Sequence, residues 1–109
     1  MTVAVISGTR PELIKLFPLL RLFDKRNINY KFIHTGQHYD YELFIKFLKE
    51  LKIREPDYNL RLEKDHNQIQ QISDIMVKVG VVLEKIHPSL VLVQGDTNSA
   101  LSSTLAAVK

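Results

Sequence analysis

Two apolar segments of this chain each run into a glycine turn that opens a helix. Thr2–Ser7 is followed directly by Gly8, and Leu90–Val93 is followed by Gln94 and Gly95. Strands that are apolar along their whole length are typical of parallel sheets covered by helices on both faces. The pattern therefore predicts an α/β fold, a Rossmann-like doubly wound parallel sheet with the first and last strands side by side at its centre.

Helical patterning fills the segments between the predicted strands. The first helix should run from the Gly8 turn to about Lys25, with Thr9 and Glu12 at the spacing of a capping box. Pro18 has no backbone N–H to donate inside this helix, so we expect a kink or a looser turn there.

A second strand over residues 30–35 and a second helix over 41–51 continue the alternation. Residues 53–61 contain Pro56 and Asp57, which predicts an irregular segment or one short edge strand. The apolar face of the second helix is predicted to consist of Leu43, Phe44, Phe47, Leu48 and Leu51.

The third helix has the clearest pattern in the chain. Asp65 or Asn67 can cap its start, and His87–Pro88 ends it. A short strand over 90–93 and a last helix from about Thr97 complete the prediction. The apolar residues of the third helix recur at three- and four-residue spacing, which predicts a core face made of Ile69, Ile72, Met76, Val79, Leu83 and Ile86.

Composition excludes several classes of function. The 109 residues carry a net charge of +3, with the positive side chains scattered through the helices, so nothing indicates a nucleic-acid partner. The chain has no cysteine, which excludes disulfides and thiolate metal sites. The start lacks the pattern of a signal peptide and no apolar run could span a bilayer, so we expect a cytoplasmic protein with no membrane partner.

The first glycine turn carries candidate groups for binding an anion. Gly8 allows close approach to the backbone, Thr9 adds a hydroxyl, and Arg10 adds a fixed cation at a helix start. The turn matches neither the Walker pattern nor the dinucleotide fingerprint. An ordinary strand-to-helix turn with a surface arginine is the alternative. Lys15 can face the same anion, or it can extend to solvent or pair with Glu12, and both interpretations remain open.

The second glycine turn places Asp96 at the end of a strand. Aspartate is a preferred helix cap, which is the structural interpretation, and it can also accept a ligand hydroxyl or move a proton. A helix N-terminus lowers the pKa of a carboxyl group, which favours Asp96 as a base. His34, His66 and His87 fit structural roles, and no histidine pair has a convincing metal-ligand spacing. His38, beside Gln37, is a candidate for ligand contact.

Four motifs in order along the chain resemble those of the non-hydrolysing UDP-N-acetylglucosamine 2-epimerases, in wording that is most similar to the archaeal members. The resemblance runs from end to end. It rests on Gly8-Thr9-Arg10-Pro11-Glu12 with Ile14-Lys15, on Thr35-Gly36-Gln37-His38-Tyr39, on Pro56-Asp57-Tyr58-Asn59-Leu60, and on Val93-Gln94-Gly95-Asp96-Thr97-Asn98.

The resemblance implies a two-domain, glycosyltransferase-B-like fold and an isomerase that interconverts UDP-N-acetylglucosamine (UDP-GlcNAc) and UDP-N-acetylmannosamine (UDP-ManNAc). The proton at sugar C2 is removed and UDP is expelled, and UDP then adds back with the other configuration, without a metal or another cofactor. Arg10 and Lys15 match positions that face the nucleotide sugar, and Gln37 and His38 match a loop beside the active site. Asp96 matches an active-site carboxylate. Polysaccharide precursor synthesis and a homodimer are the corresponding expectations.

The chain departs from this family in length. Members of the family are several times longer, so we expect residues 1–109 to correspond to part of the N-terminal Rossmann-like domain, with the second domain absent. The last strand would then lack its expected neighbour, and an apolar sheet edge is an aggregation or pairing liability, so we expect either that another chain covers it or that the 109 residues are part of something larger. We expect this polypeptide alone to be inactive. Two hypotheses follow: an epimerase or its N-terminal part, completed by a complementary C-terminal chain, and an inactive fragment or interaction module that keeps a phosphate-binding turn.

Overall fold

Strands and helices alternate along the whole chain, as the sequence predicts. The computed structural model describes residues 1–36, 41–61, 67–94 and 98–108. Within them, no helix is long and apolar enough to cross a membrane. The elements are β1 (Val3–Ser7), α1 (Arg10–Lys25), β2 (Tyr30–His34), α2 (Tyr41–Leu51), β3 (Tyr58–Asn59), α3 (Gln68–Ile86), β4 (Leu90–Val93) and α4 (Asn98–Val108).

The four strands form one parallel sheet in the order β3-β2-β1-β4. β1 and β4 are neighbours, which confirms their predicted pairing. The prediction that both lie at the centre is wrong for β4, which forms an edge of the sheet within the described part of the chain. Its residues are correspondingly only half-buried or exposed, and Leu90 is 49% exposed.

Side chains of β1 alternate between two apolar cores. Val3 and Val5 belong to the core beneath α1 and α2, whereas Ala4 and Ile6 belong to the core beneath α3. This alternation is the two-residue period of a strand, with both faces covered by helices. The sheet is therefore the middle layer of a three-layer α/β structure, which confirms the predicted fold class.

The helix ends follow local sequence signals. Asn67 caps α3, because its side chain accepts a hydrogen bond from the N–H of Gln70, while the Gln70 side chain accepts one from the N–H of Asn67. His87 ends this helix in the left-handed region, with φ of 50°. α1 continues as one helix through Pro18, so the proline does not divide it.

The predicted apolar faces are partly wrong. Ile69 is 72% exposed in the first turn of α3, and Leu43 is 58% exposed in the first turn of α2. α3 packs against α4 as well as the sheet, so its buried face widens to include Ile75 and Val82 beside the predicted Val79. A straight helix also drifts relative to a strict heptad pattern, which moves distant members of one stripe off the core face.

Candidate functional site

The strand register brings the carboxyl ends of β1, β2 and β4 together at one end of the sheet, the candidate edge. This end is distinct from the lateral edge that β4 forms. Ser7 at the end of β1 is opposite His34 at the end of β2, and Ile6 is opposite Val93 at the end of β4. The topology changes direction between β1 and β4, because the chain leaves β1 toward β2 and returns on the other side. Open parallel sheets bind ligands outside the carboxyl ends of their strands at such a switch point.

Glu12 closes the turn between β1 and α1. Its carboxylate is buried, with 4% of the residue exposed, and accepts hydrogen bonds from the N–H of Gly8 at 2.7 Å and of Thr9 at 3.2 Å. The reach back from Glu12 to Thr9 is the glutamate half of the predicted capping box. These N–H groups donate to a carboxylate of the protein, so phosphate contacts of Gly8 and Thr9 stay a prediction.

Arg10 and Lys15 are both exposed on the first turns of α1. The Arg10 guanidinium lies over the Phe47 ring of α2, with its central carbon 4.5 Å from the ring centroid. Among the described residues Lys15 forms no ion pair, so the alternative in which it pairs with Glu12 is wrong. Two exposed cations therefore lie at the start of the helix that follows the candidate edge.

The end of β2 is held by contacts on both faces of the sheet. The His34 ring is buried and stacks on Phe44, with centroids 3.8 Å apart and planes 12° apart. On the other face, the Thr35 and Ser99 hydroxyls share a buried hydrogen bond of 2.7 Å, which ties the end of β2 to the start of α4. Gly36 has φ of 89°, a left-handed conformation that side chains disfavour, and it turns the chain away from β2.

Three predicted site residues lie outside the described part of the chain. Asp96 belongs to residues 95–97, and Gln37 and His38 belong to residues 37–40. Asp65 and His66 also lie outside the described part of the chain. Both site segments adjoin described residues of the candidate edge: residues 37–40 follow Gly36, and residues 95–97 precede α4. In the described ranges, no group of histidine and acidic residues could hold a metal ion.

Two residues of this edge have roles that the sequence interpretation did not assign. Phe47 was predicted to belong to the apolar face of α2, and it also carries the Arg10 guanidinium. Ser99, in the predicted last helix, forms a hydrogen bond with Thr35 through its hydroxyl. The motif around Pro56 also acquires a structural explanation, since Asp57 accepts a 2.7 Å hydrogen bond from the Phe32 N–H and aligns β3 with β2.

Comparison with known proteins gives a consistent result. Residues 21–109 match the family model described as UDP-N-acetylglucosamine 2-epimerase. A relative from Methanocaldococcus jannaschii, named UDP-N-acetylglucosamine 2-epimerase, is 40% identical over 109 residues, which are 100% of this chain and 30% of that protein. The chain thus spans about 30% of the length of the curated relatives it matches.

Comparison with solved structures leads to the same family as the sequence comparison. A crystal structure of the Methanocaldococcus jannaschii UDP-GlcNAc 2-epimerase in complex with UDP-GlcNAc and UDP superposes with a TM-score of 0.91 at 40% identity, covering 98% of this chain and 29% of that one. The Neisseria meningitidis UDP-GlcNAc 2-epimerase bound to UDP-GlcNAc superposes with a TM-score of 0.88 at 34% identity, covering 98% of this chain and 29% of that one.

Proposed function

Because this chain belongs to the UDP-N-acetylglucosamine 2-epimerase family, we propose that it supplies the N-terminal part of a cleft that interconverts UDP-GlcNAc and UDP-ManNAc. The observation that carries the proposal is its superposition, over 98% of its length, on an epimerase crystallised with UDP-GlcNAc and UDP. The carboxyl edge of the sheet, with Arg10 and Lys15 at the start of α1, is the ligand-binding edge expected for a parallel α/β fold.

In this proposal the two cations act on the diphosphate. Breaking the bond between sugar C1 and the phosphate oxygen leaves the electron pair on UDP, and preorganised positive groups lower the cost of that charge. Arg10 supplies a planar fork of donors and Lys15 a compact charge. Gly8 and Thr9 form the turn that precedes Arg10, and they are assigned to contacts with the same ligand.

Asp96 is assigned to the proton at sugar C2. A base removes this proton as the C1–O bond breaks, which gives a glycal. UDP then adds back at C1 while an acid delivers a proton to the opposite face of C2, so C2 acquires the opposite configuration. A positioned base typically contributes a rate factor of about 10²–10⁴. Gln37 and His38, on the segment after β2, are assigned to contacts with the sugar.

The proposal includes the partners of the chain. The matched relatives extend well beyond the part covered here, so a complementary C-terminal chain, from the same or another polypeptide, would supply the rest of the cleft. The exposed β4 edge suits such a partner, because unpaired parallel edges are normally covered. A homodimer and a cytoplasmic location complete the proposal. The second candidate is an inactive fragment that retains a phosphate-binding turn. The observation that favours it is that the chain covers 30% of the length of the Methanocaldococcus jannaschii relative.

A charge-matched pair of variants tests the site. UDP should raise the melting temperature of the unaltered chain, and Arg10→Ala combined with Lys15→Ala should abolish this shift. Arg21→Ala combined with Lys25→Ala removes equal charge from exposed positions further along α1, and it should leave the shift intact. An equal shift in the Arg10 and Lys15 variant would refute the assignment of the two cations.

Turnover separates the two candidate functions. We expect no UDP-ManNAc from UDP-GlcNAc with the 109-residue chain alone. Adding a polypeptide that corresponds to the remaining part of the Methanocaldococcus jannaschii relative should restore epimerisation if the chain is half of an enzyme. Binding without restored turnover supports the inactive-fragment alternative, and product from the chain alone contradicts the requirement for a partner.

A further inference from the structure

Arg10 and Phe47 come from different helices and meet at the candidate edge. Arg10 is the first residue of α1, and its guanidinium lies 4.5 Å from the centroid of the Phe47 ring. Phe47 is half-buried in α2 and packs against the core formed by α1, α2 and the sheet. An exposed cation is thus held on a ring that is itself anchored in the core.

The backbone beneath Arg10 is fixed independently of its side chain. The buried Glu12 carboxylate holds the N–H groups of Gly8 and Thr9, the two residues directly before Arg10. The position of the Arg10 Cα atom is therefore set by the Glu12 contacts, and the direction of its side chain is set by Phe47.

A guanidinium that lies over a ring presents only part of its surface to that ring, so N–H groups remain for other partners. Among the described residues, no side chain or carbonyl accepts a hydrogen bond from the Arg10 guanidinium. An arginine loses less conformational freedom on binding when its side chain is already held, so stacking lowers the cost of ligand binding.

We propose that Phe47 is a positioning residue for Arg10, which it holds as a preorganised donor for the diphosphate of a nucleotide sugar. The inference rests on the proposed function, because that function assigns Arg10 to the diphosphate. It adds a residue of α2 to a site otherwise assigned to α1 and to the segments that follow the strand ends. Phe47 touches no ligand and acts only through Arg10.

The first measurement tests the stack itself in the full chain. Ring currents should shift the side-chain proton resonances of Arg10 upfield in NMR spectra. Phe47→Leu should remove this shift because it deletes the ring and keeps an apolar side chain, and Phe47→Tyr should preserve it. Arg10 resonances that are the same in the Phe47→Leu variant as in the unaltered chain would overturn the proposal.

The second measurement is UDP affinity, with UDP and inorganic pyrophosphate as probes. Phe47→Leu should weaken binding of both by about two- to fivefold, the factor that corresponds to an exposed cation–π contact. Phe47→Tyr should restore it. The matched control is Phe17→Leu, an identical change at another half-buried phenylalanine of the same core, and it should leave affinity unchanged while lowering the melting temperature comparably.

The outcomes separate this inference from the proposed function. If Arg10→Ala weakens binding and Phe47→Leu leaves it equal or tighter, the positioning role of Phe47 is overturned while the diphosphate site stands. If Phe17→Leu weakens binding as much as Phe47→Leu, the effect reflects core packing and the positioning role is again overturned. If the unaltered chain binds neither probe, or Arg10→Ala changes nothing, the diphosphate assignment itself fails.

Discussion

Replacing Asp57 by alanine should destabilise the chain far more than its position in a loop suggests. The Asp57 carboxylate accepts a hydrogen bond of 2.7 Å from the N–H of Phe32 and one of 3.0 Å from Arg54. The N–H of Asp57 donates to the Phe32 carbonyl at 2.8 Å, and Arg54 donates to the Tyr30 carbonyl at 2.7 Å. Asp57 therefore ties the segment before β3 to the edge of β2.

The magnitude of this destabilisation follows from the two hydrogen bonds that the Asp57 carboxylate accepts. A hydrogen bond to a charged group contributes about 1.5–3 kcal/mol, and the alanine variant also leaves the Phe32 N–H without its acceptor. The pair with Arg54 adds little, about 0–1 kcal/mol, because the Arg54 side chain is 44% exposed. We expect a loss of about 2–3 kcal/mol in the free energy of unfolding, or about 8–12 °C in Tm for a chain of this length.

Urea unfolding followed by circular dichroism measures this loss. Asp57→Asn keeps an acceptor oxygen without the charge and should lose about half as much. Glu55→Ala changes an exposed carboxylate of the same segment, and its effect should stay within about 0.5 kcal/mol. If Asp57→Ala also stays within about 0.5 kcal/mol of the unaltered chain, the carboxylate does not hold β3 to β2 and the reasoning is refuted.

Two further predictions concern hydrogen bonds elsewhere in the fold. In a double-mutant cycle, Thr35→Val and Ser99→Ala should be coupled by about 1 kcal/mol through their buried bond of 2.7 Å, and additive effects in urea unfolding would contradict it. Burial is the largest cause that raises the pKa of Tyr30 above its ordinary value of 10.0, and the hydrogen bond to Asp24 is the second. Above about pH 10 the folded state keeps the Tyr30 proton while the unfolded state releases it. The contribution of Tyr30 to the free energy of unfolding is therefore fully present below about pH 10 and falls above it. Tyr30→Phe should make that fall shallower, and an equal slope in unfolding experiments across this range would count against it.

Local sequence signals predicted the elements because they act over few residues. The run from Thr2 to Ser7 and the pair His87–Pro88 each set a boundary, and the structure has β1 and the end of α3 at these positions. The spacing of Thr9 and Glu12 likewise anticipated the contact between the Glu12 carboxylate and the Thr9 N–H. Such signals depend on backbone sterics and hydrogen bonds that neighbouring residues complete among themselves.

The contacts that shape the candidate edge carry no comparable signal. Thr35 and Ser99 are separated by 64 positions, and their hydrogen bond exists only because β1 pairs with both β2 and β4. Phe47 reads as one more apolar residue of a helix face, since nothing in its neighbourhood shows that α1 brings a cation to it. The burial of a helix also depends on its neighbours, which is why Ile69 was misassigned.

At the turn between β1 and α1, we expect side chains to contribute more than backbone N–H groups to the attraction of an anion. A helix N-terminus attracts anions through free N–H groups, but here Glu12 accepts from the two N–H groups of Gly8 and Thr9 that precede the helix. Its carboxylate also places a negative charge at this end of α1, so we expect the exposed Arg10 and Lys15 to supply most of the attraction for the proposed diphosphate. Exposed charges are screened over about 10 Å at 0.1 M salt and about 3 Å at 1 M. Diphosphate binding at this turn should therefore weaken steeply with salt, in contrast to a phosphate cradled by backbone N–H groups.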